Sequence, residues 1–305
     1  MKSMKWLLAG VVGLALTNGA LASSAVVSAD WLAERLDRPD IRVVEVSVEP
    51  GLYEQGHIPG AANISWHTDL VDNPNRDIVQ KEQFEQLMSR LGVTPDTTVV
   101  LYGDHDNWFA AWGAWVFHYY GHPNVKLLDG GRRKWPADER PLDTVTPSFT
   151  PTTYQVTQTR PELRARLADV VAVAEGQDEA ALVDIRSPDE FAGRVIAPAG
   201  IQELAIRAGH VPGAVNVPWN TAVQADGTFR PVEELRELYA AQGVDGSKPA
   251  IVYCRIGERS AHTWFVLNQV LGYDQVLQYD GSWTEYGNAV GVPINNPAGT
   301  VWTGK

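Results

Sequence analysis

The chain is poor in cysteine. Cys254 is the one cysteine in 305 residues, so no intramolecular disulfide can form, and no cysteine-built zinc or iron–sulfur site is possible. Basic residues are also scarce, with 25 Lys+Arg against 37 Asp+Glu and a formal net charge of -12. Such a surface repels a phosphate backbone, which excludes nucleic acid as a partner and obliges any anionic ligand to meet a local positive site. No Gly-x-Ser-x-Gly elbow, His-Glu-x-x-His helix, phosphate-binding Gly-x-x-x-x-Gly-Lys loop or dinucleotide fingerprint occurs. No second ligand set with metal spacing accompanies Asp104-His105-Asp106, and His118 and His122 straddle a helix end at Gly121. What remains is chemistry at a thiol, with no cofactor and no metal.

Composition, with 44% hydrophobic and 20% charged residues, describes a globular protein with a sizeable core, and the length implies about two domains of ~150 residues. Residues 1–22 read as an export signal: Lys2 and Lys5 precede an apolar stretch at 6–16, and Ala20-Leu21-Ala22 makes a small-x-small cleavage site. That stretch is too short to span a bilayer, and no later apolar run reaches 18 residues. The expected mature protein is exported to the periplasm or medium and free of the membrane. A lone thiol in an oxidising compartment points to function.

The second half repeats the first. His57-Ile-Pro-Gly-Ala-Ala-Asn63 recurs as His210-Val-Pro-Gly-Ala-Val-Asn216, and a constant offset of 151 pairs Gly92-Val93, Tyr102, Gly121 and Asp129-Gly130 with Gly243-Val244, Tyr253, Gly272 and Asp280-Gly281. Nearly continuous apolar runs at 43–48, 61–65, 98–102 and 125–128, and at 181–185, 214–218, 250–253 and 275–279, predict parallel strands covered by helices on both faces. The fold class is therefore α/β: two small doubly wound parallel sheets flanked by helices, at 23–143 and 161–305, joined by a Pro/Thr-rich linker at 144–160. Between the acidic strand ends (Glu45, Asp184) and the His-x-Pro-Gly turns the offset moves from 139 to 153, so the second copy carries 14 extra residues around 194–208, expected as a surface loop.

Cys254 ends a predicted strand, and a helix begins near Ser260, so residues 254–259 form a loop at the carboxyl end of a parallel strand. Backbone N–H groups of Ile256, Gly257 and Glu258, the helix terminus, Arg255 and Arg259 all favour a thiolate there. Gly257 can take the positive φ that closes the turn. Glu258 is expected to point outward, since a carboxylate facing the sulfur would oppose ionisation. The matching place in the first copy has Gly103 and Asp104-His105-Asp106: no nucleophile, a charge that repels anions, and a solvated loop. His57 and His210 recur in both copies and are expected to be structural. Asp184 and Arg186 form an expected bracing pair, for which Glu45 has only Ser47 two residues on, and Trp112, Trp115, Trp219 and Trp264 are expected in the core.

These residues resemble the tandem-domain rhodaneses, sulfurtransferases whose C-terminal domain alone carries the nucleophile. The Gly-His-x-Pro-Gly-Ala turns, the Tyr253-Cys-Arg-x-Gly loop and Tyr279-Asp-Gly-Ser-Trp-Thr-Glu-Tyr286 carry the resemblance, and the stretch 254–267 is similar to bacterial thiosulfate sulfurtransferases. The resemblance implies two tandem rhodanese-like domains, a Cys254 persulfide formed from thiosulfate, and transfer to cyanide or a thiol. Arg255 and Arg259 would neutralise the donor. Family members often place a lysine where Ile256 stands and a donor-binding arginine near Glu190, for which Arg186 and Arg194 are the nearest counterparts here. The alternatives are a 3-mercaptopyruvate sulfurtransferase, whose loop is typically near neutral, and a non-catalytic persulfide carrier. Phosphate chemistry needs five residues between Cys and Arg, whereas Cys254 and Arg259 are separated by four.

Overall fold

The computed structural model describes residues 25–198, 200 and 205–301. The predicted export segment and part of the 194–208 insertion lie outside the described residues. Two parallel sheets dominate. The first orders β1 (Val26–Val27), β7 (Val125–Leu128), β6 (Thr98–Tyr102), β2 (Ile41–Glu45) and β3 (Ala62–Asn63) side by side. The second orders β11 (Val276–Gln278), β10 (Ala250–Tyr253), β8 (Ala181–Asp184) and β9 (Val215–Asn216). Register equates the copies: Glu45 lies opposite Tyr102, and Asp184 opposite Tyr253. The edge strand β1 was not expected, because two residues are too short to show periodicity. In the second sheet an isolated bridge from Arg164 to Gln278 takes its place.

Apolar runs buried on both faces make these central strands. All four residues of β10 are buried, as are Val99, Val100, Leu101 and Tyr102 of β6. The main apolar cluster contains residues of both copies, among them Phe84, Trp115, Phe117, Tyr239, Trp264 and Phe265. It is centred where helix Trp108–Tyr119 packs on helix Glu258–Trp264, so neither copy closes its core alone. Helix Glu258–Trp264 continues as wider π-type turns over Phe265–Val270, in which Leu271 N–H reaches the Val266 carbonyl at 2.8 Å.

The Pro/Thr-rich segment is strapped to the first domain. Tyr154 is buried, its hydroxyl is 3.1 Å from His122 Nδ1, and its N–H donates to Ser89 Oγ at 2.9 Å. The far end of the insertion is also built in: Arg207 donates to the carbonyls of Gly287, Val292, Tyr286 and Ala289, and Trp283 Nε1 returns a bond to the Arg207 carbonyl.

Each domain lends a short hairpin to the other. In the first, antiparallel β4 (Val71–Asp72) and β5 (Asp77–Ile78) reach the second domain, where Arg164 joins Asp77 (2.5 Å) to Asp280 (2.7 Å). In the second, the bridge between Val223 and Phe229 reaches back, where Phe229 N–H donates to Asp129 at 2.9 Å and Lys134 pairs with Asp226 at 3.3 Å. Asp129 and Asp280 are equivalent positions, so the exchange follows a pseudo-twofold relation.

Candidate active site

Cys254 follows β10 directly and is fully buried. Its N–H donates to Ser282 Oγ at 3.0 Å, its carbonyl accepts from Trp283 N–H at 3.0 Å, and the Arg255 carbonyl accepts from Thr284 N–H at 2.9 Å. The Gly257 carbonyl is held by Gln278 Nε2 at 2.5 Å and Ser260 Oγ at 3.1 Å. These bonds fix the loop around the sulfur, and Gly257 N–H points at Sγ from 3.2 Å. Gly257 has φ 104, where a Cβ would stand 2.9 Å from the Asp280 carbonyl oxygen, so only glycine suits this corner.

Two expectations fail here. Glu258 points inward: it is 5% exposed, and Cys254 Sγ lies 3.6 Å from its Oε2. Its side chain has nowhere outward to go, because helix Glu258–Trp264 is buried on every side between the domains. The thiol is correspondingly not acidified. Burial pushes its pKa up, the Glu258 carboxylate adds to this, and Arg259 and hydrogen bonds from Ser260 oppose without prevailing.

The arginines divide. Arg259 is buried, with Nη2 3.5 Å from Glu190 Oε1, Nε 3.9 Å from Glu258 Oε1 and its guanidinium 5.9 Å from the Trp108 ring centroid of the first domain. Burial works against its charge, but Cys254, Glu190 and Glu258 together raise its pKa. Arg255 is half-buried in the loop. Arg186, predicted to bind substrate, is committed elsewhere: it is 1% exposed, pairs with Asp184 at 2.6 Å, donates to the Gly209 carbonyl at 2.7 Å and lies 4.4 Å from the Trp283 ring centroid. That is the expected bracing pair, not a ligand contact. Arg194 is an exposed partner of Asp189 at 2.6 Å.

The first copy supplies the same brace by another route. Glu45 accepts from Tyr102, from Ser47 (2.7 Å) and from Arg132 (2.6 Å), and Arg132 also donates to the Gly56 carbonyl, the counterpart of Gly209. Position 132 matches Trp283, so the guanidinium comes from a different segment of the domain. At Gly103 a Cβ would run into the Val46 carbonyl oxygen, which bars any side chain where the second copy has cysteine. Asp104 is not solvated as expected: its Oδ2 accepts from Val48 and Glu49 N–H, at 3.0 and 2.9 Å. Among the described residues no group of three or more His, Cys, Asp or Glu could hold a metal ion.

His57 and His210 are structural. His57 stacks on Tyr53 at 3.8 Å and His210 on Phe191 at 3.6 Å, and their Nδ1 atoms bond the Tyr53 and Phe191 carbonyls. Sequence reasoning missed the first domain's share of the site. A cavity of ≈ 210 Å³ lies beside Ile256, walled by Trp66, Val71, Arg76, Asp77, Trp112 and Asp280. Trp112 therefore serves both core and cavity. The β4–β5 hairpin carries no signal of its role, because only docking brings it to Ile256.

A buried thiol in a backbone cradle at the end of a parallel strand, packed against a second copy of its own domain that has glycine at the matching place, defines a two-domain α/β protein with one cysteine-centred candidate site. The rhodanese-like domain family matches residues 28–138 and 163–289, and the chain belongs to that family. It is 52% identical over 274 residues to the sulfur carrier protein TtuD of Thermus thermophilus, across 88% of this chain and 95% of that one. A protein of Mycolicibacterium smegmatis, provisionally named thiosulfate sulfurtransferase, is 50% identical over 273 residues, across 89% and 98%. Among solved structures, SseA of Escherichia coli, described as a 3-mercaptopyruvate sulfotransferase, superposes with TM-score 0.72 at 29% identity, across 85% and 98%.

Proposed function

We propose that the protein is a thiosulfate sulfurtransferase. Cys254 attacks the outer sulfur of thiosulfate, sulfite leaves, and the Cys254 persulfide passes its sulfur to a thiol, or to cyanide in an assay. The observation that carries this reading is the loop: a buried Sγ receiving a backbone N–H at 3.2 Å, with Arg255 and Arg259 in the same six residues. A compact dianion needs fixed positive charge close to the sulfur, and Arg259 supplies it in the loop, its Nη2 facing Glu190 at 3.5 Å without a hydrogen bond. The names of the thiosulfate relatives agree with this donor.

The alternatives are mercaptopyruvate as donor, which the name of SseA suggests, and a carrier role, which the name of the Thermus relative suggests. Steady-state rates with thiosulfate and 3-mercaptopyruvate, each with the same acceptor, decide the donor; thiosulfate is expected to give the higher kcat/KM, and the reverse order overturns the assignment. A carrier would load once and release slowly to small acceptors. We also propose export after cleavage behind Ala22, for which an exported chain beginning at Ser23 is the readout.

A further inference from the structure

We propose that Glu258 is a catalytic residue whose carboxylate receives the Cys254 thiol proton as sulfur arrives and returns it as sulfur leaves. The geometry is direct: Sγ and Oε2 are 3.6 Å apart, with Cys254 fully buried and Glu258 5% exposed. Gly257 N–H also points at the sulfur, from 3.2 Å. The charged groups around the pair are Arg259, 3.9 Å from Oε1; Glu190, which faces Arg259 at 3.5 Å; Arg255 in the loop; and, behind Gly257, Asp280 paired with Arg164.

A thiolate and a carboxylate this close in a buried site repel each other, so the form with both ionised is the costly one. With one proton on the pair, the resting state is thiol and carboxylate. An incoming dianion makes the carboxylate charge costlier still. Moving the proton from Sγ to Oε2 places the negative charge where Gly257 N–H already points and leaves a neutral acid beside the donor. The thiolate then attacks the outer sulfur of thiosulfate. An S–S bond forms to Sγ, the bond to the sulfonate sulfur breaks, and sulfite departs with that electron pair, leaving Cys254–S–S⁻ and Glu258–COOH. When the acceptor takes the outer sulfur, the electron pair of the Cys254–S bond stays on Sγ and the proton returns from Glu258. No oxidant or reductant enters. The upward push on the thiol from burial and Glu258 fits a resting pair that holds its proton on sulfur.

The inference rests on the sulfur-transfer reading above, and the test separates the two. Single-turnover persulfide formation from thiosulfate is followed from about pH 5.5 to about pH 9.5, with iodoacetamide alkylation of Cys254 in parallel. The wild type should give a bell for thiosulfate, since activity needs one proton on the pair. Glu258→Gln should give a single rising limb and be at least about tenfold slower near pH 6. In Glu258→Ala, formate should restore turnover where chloride at equal ionic strength does not. A bell retained in Glu258→Gln, or equal rates near pH 6, overturns the proposal. If the glutamine variant does not fold, formate dependence of the alanine variant decides instead, and the wild-type bell is a third readout. If the wild type takes no sulfur from thiosulfate, the donor assignment falls, and the pH limbs of alkylation still test the pair.

Discussion

The two loops that follow β6 and β10 occupy equivalent places in equivalent sheets, yet only one holds a cysteine. Both sit above a buried carboxylate paired with an arginine, and both receive a hairpin from the opposite domain. The contents differ. After β10 a buried sulfur meets a backbone N–H, with Arg255 and Arg259 nearby. After β6 a glycine lies against the Val46 carbonyl, and three successive residues, His105, Asp106 and Asn107, have φ of 48, 52 and 67. The comparison teaches that the brace belongs to the fold while the chemistry belongs to the loop. The same carboxylate is neutralised from position 132 in one copy and position 186 in the other, so the requirement is a buried guanidinium, not a particular place in the chain.

The widest separation of the loops comes from Cys254→Ser, which should lower sulfur transfer on the order of 10³-fold or more. Intact-mass measurement after thiosulfate should show one added sulfur atom, removable by cyanide, in the wild type and none in the variant. Full transfer activity in the variant would move the chemistry elsewhere.

The shared brace is tested by Arg186→Met beside Arg132→Met. Each leaves a fully buried carboxylate uncompensated and should cost about 3–5 kcal/mol in urea unfolding. Arg186 should be the dearer loss, since its side chain is 1% exposed against 12% for Arg132. Neutral behaviour of either breaks the parity between copies.

Gly103→Cys asks whether the silent loop can be given a nucleophile. Overpacking against Val46 should destabilise the protein by about 1–3 kcal/mol, and native alkylation should still find one reactive thiol per chain. Two fast-reacting thiols would show the loops to be interchangeable.

The smallest effect is expected at Arg194→Ala. Its partner Asp189 is as exposed as Arg194 itself, so stability should move by less than about 0.5 kcal/mol and turnover by less than about twofold. A tenfold loss with thiosulfate would return Arg194 to the site that the family resemblance implied.

Much of the fold was legible in the residue order. The strands at 98–102, 125–128 and 250–253 fall where the apolar runs predicted them, because strands buried on both faces have few other ways to satisfy such a run. The lone thiol at a strand end and the glycine at 257 could be read for the same reason: backbone position follows from local sequence. The orientation of Glu258 could not. A carboxylate in a first helical turn ordinarily turns to water, and the burial of every residue of helix Glu258–Trp264 removes the water it would turn to.

The sequence by itself determined the duplication, the two parallel sheets, the family and the single thiol, since each is set by period, offset or residue identity. Tertiary structure alone decided that Arg132 replaces the arginine missing after Glu45, that Arg186 is a brace, that Trp66, Arg76 and Trp112 of the first domain wall the cavity beside Ile256, and that Glu258 faces the sulfur. These are contacts between residues far apart in the chain. Their energies depend on which water is excluded when the two copies close, and no local pattern records that.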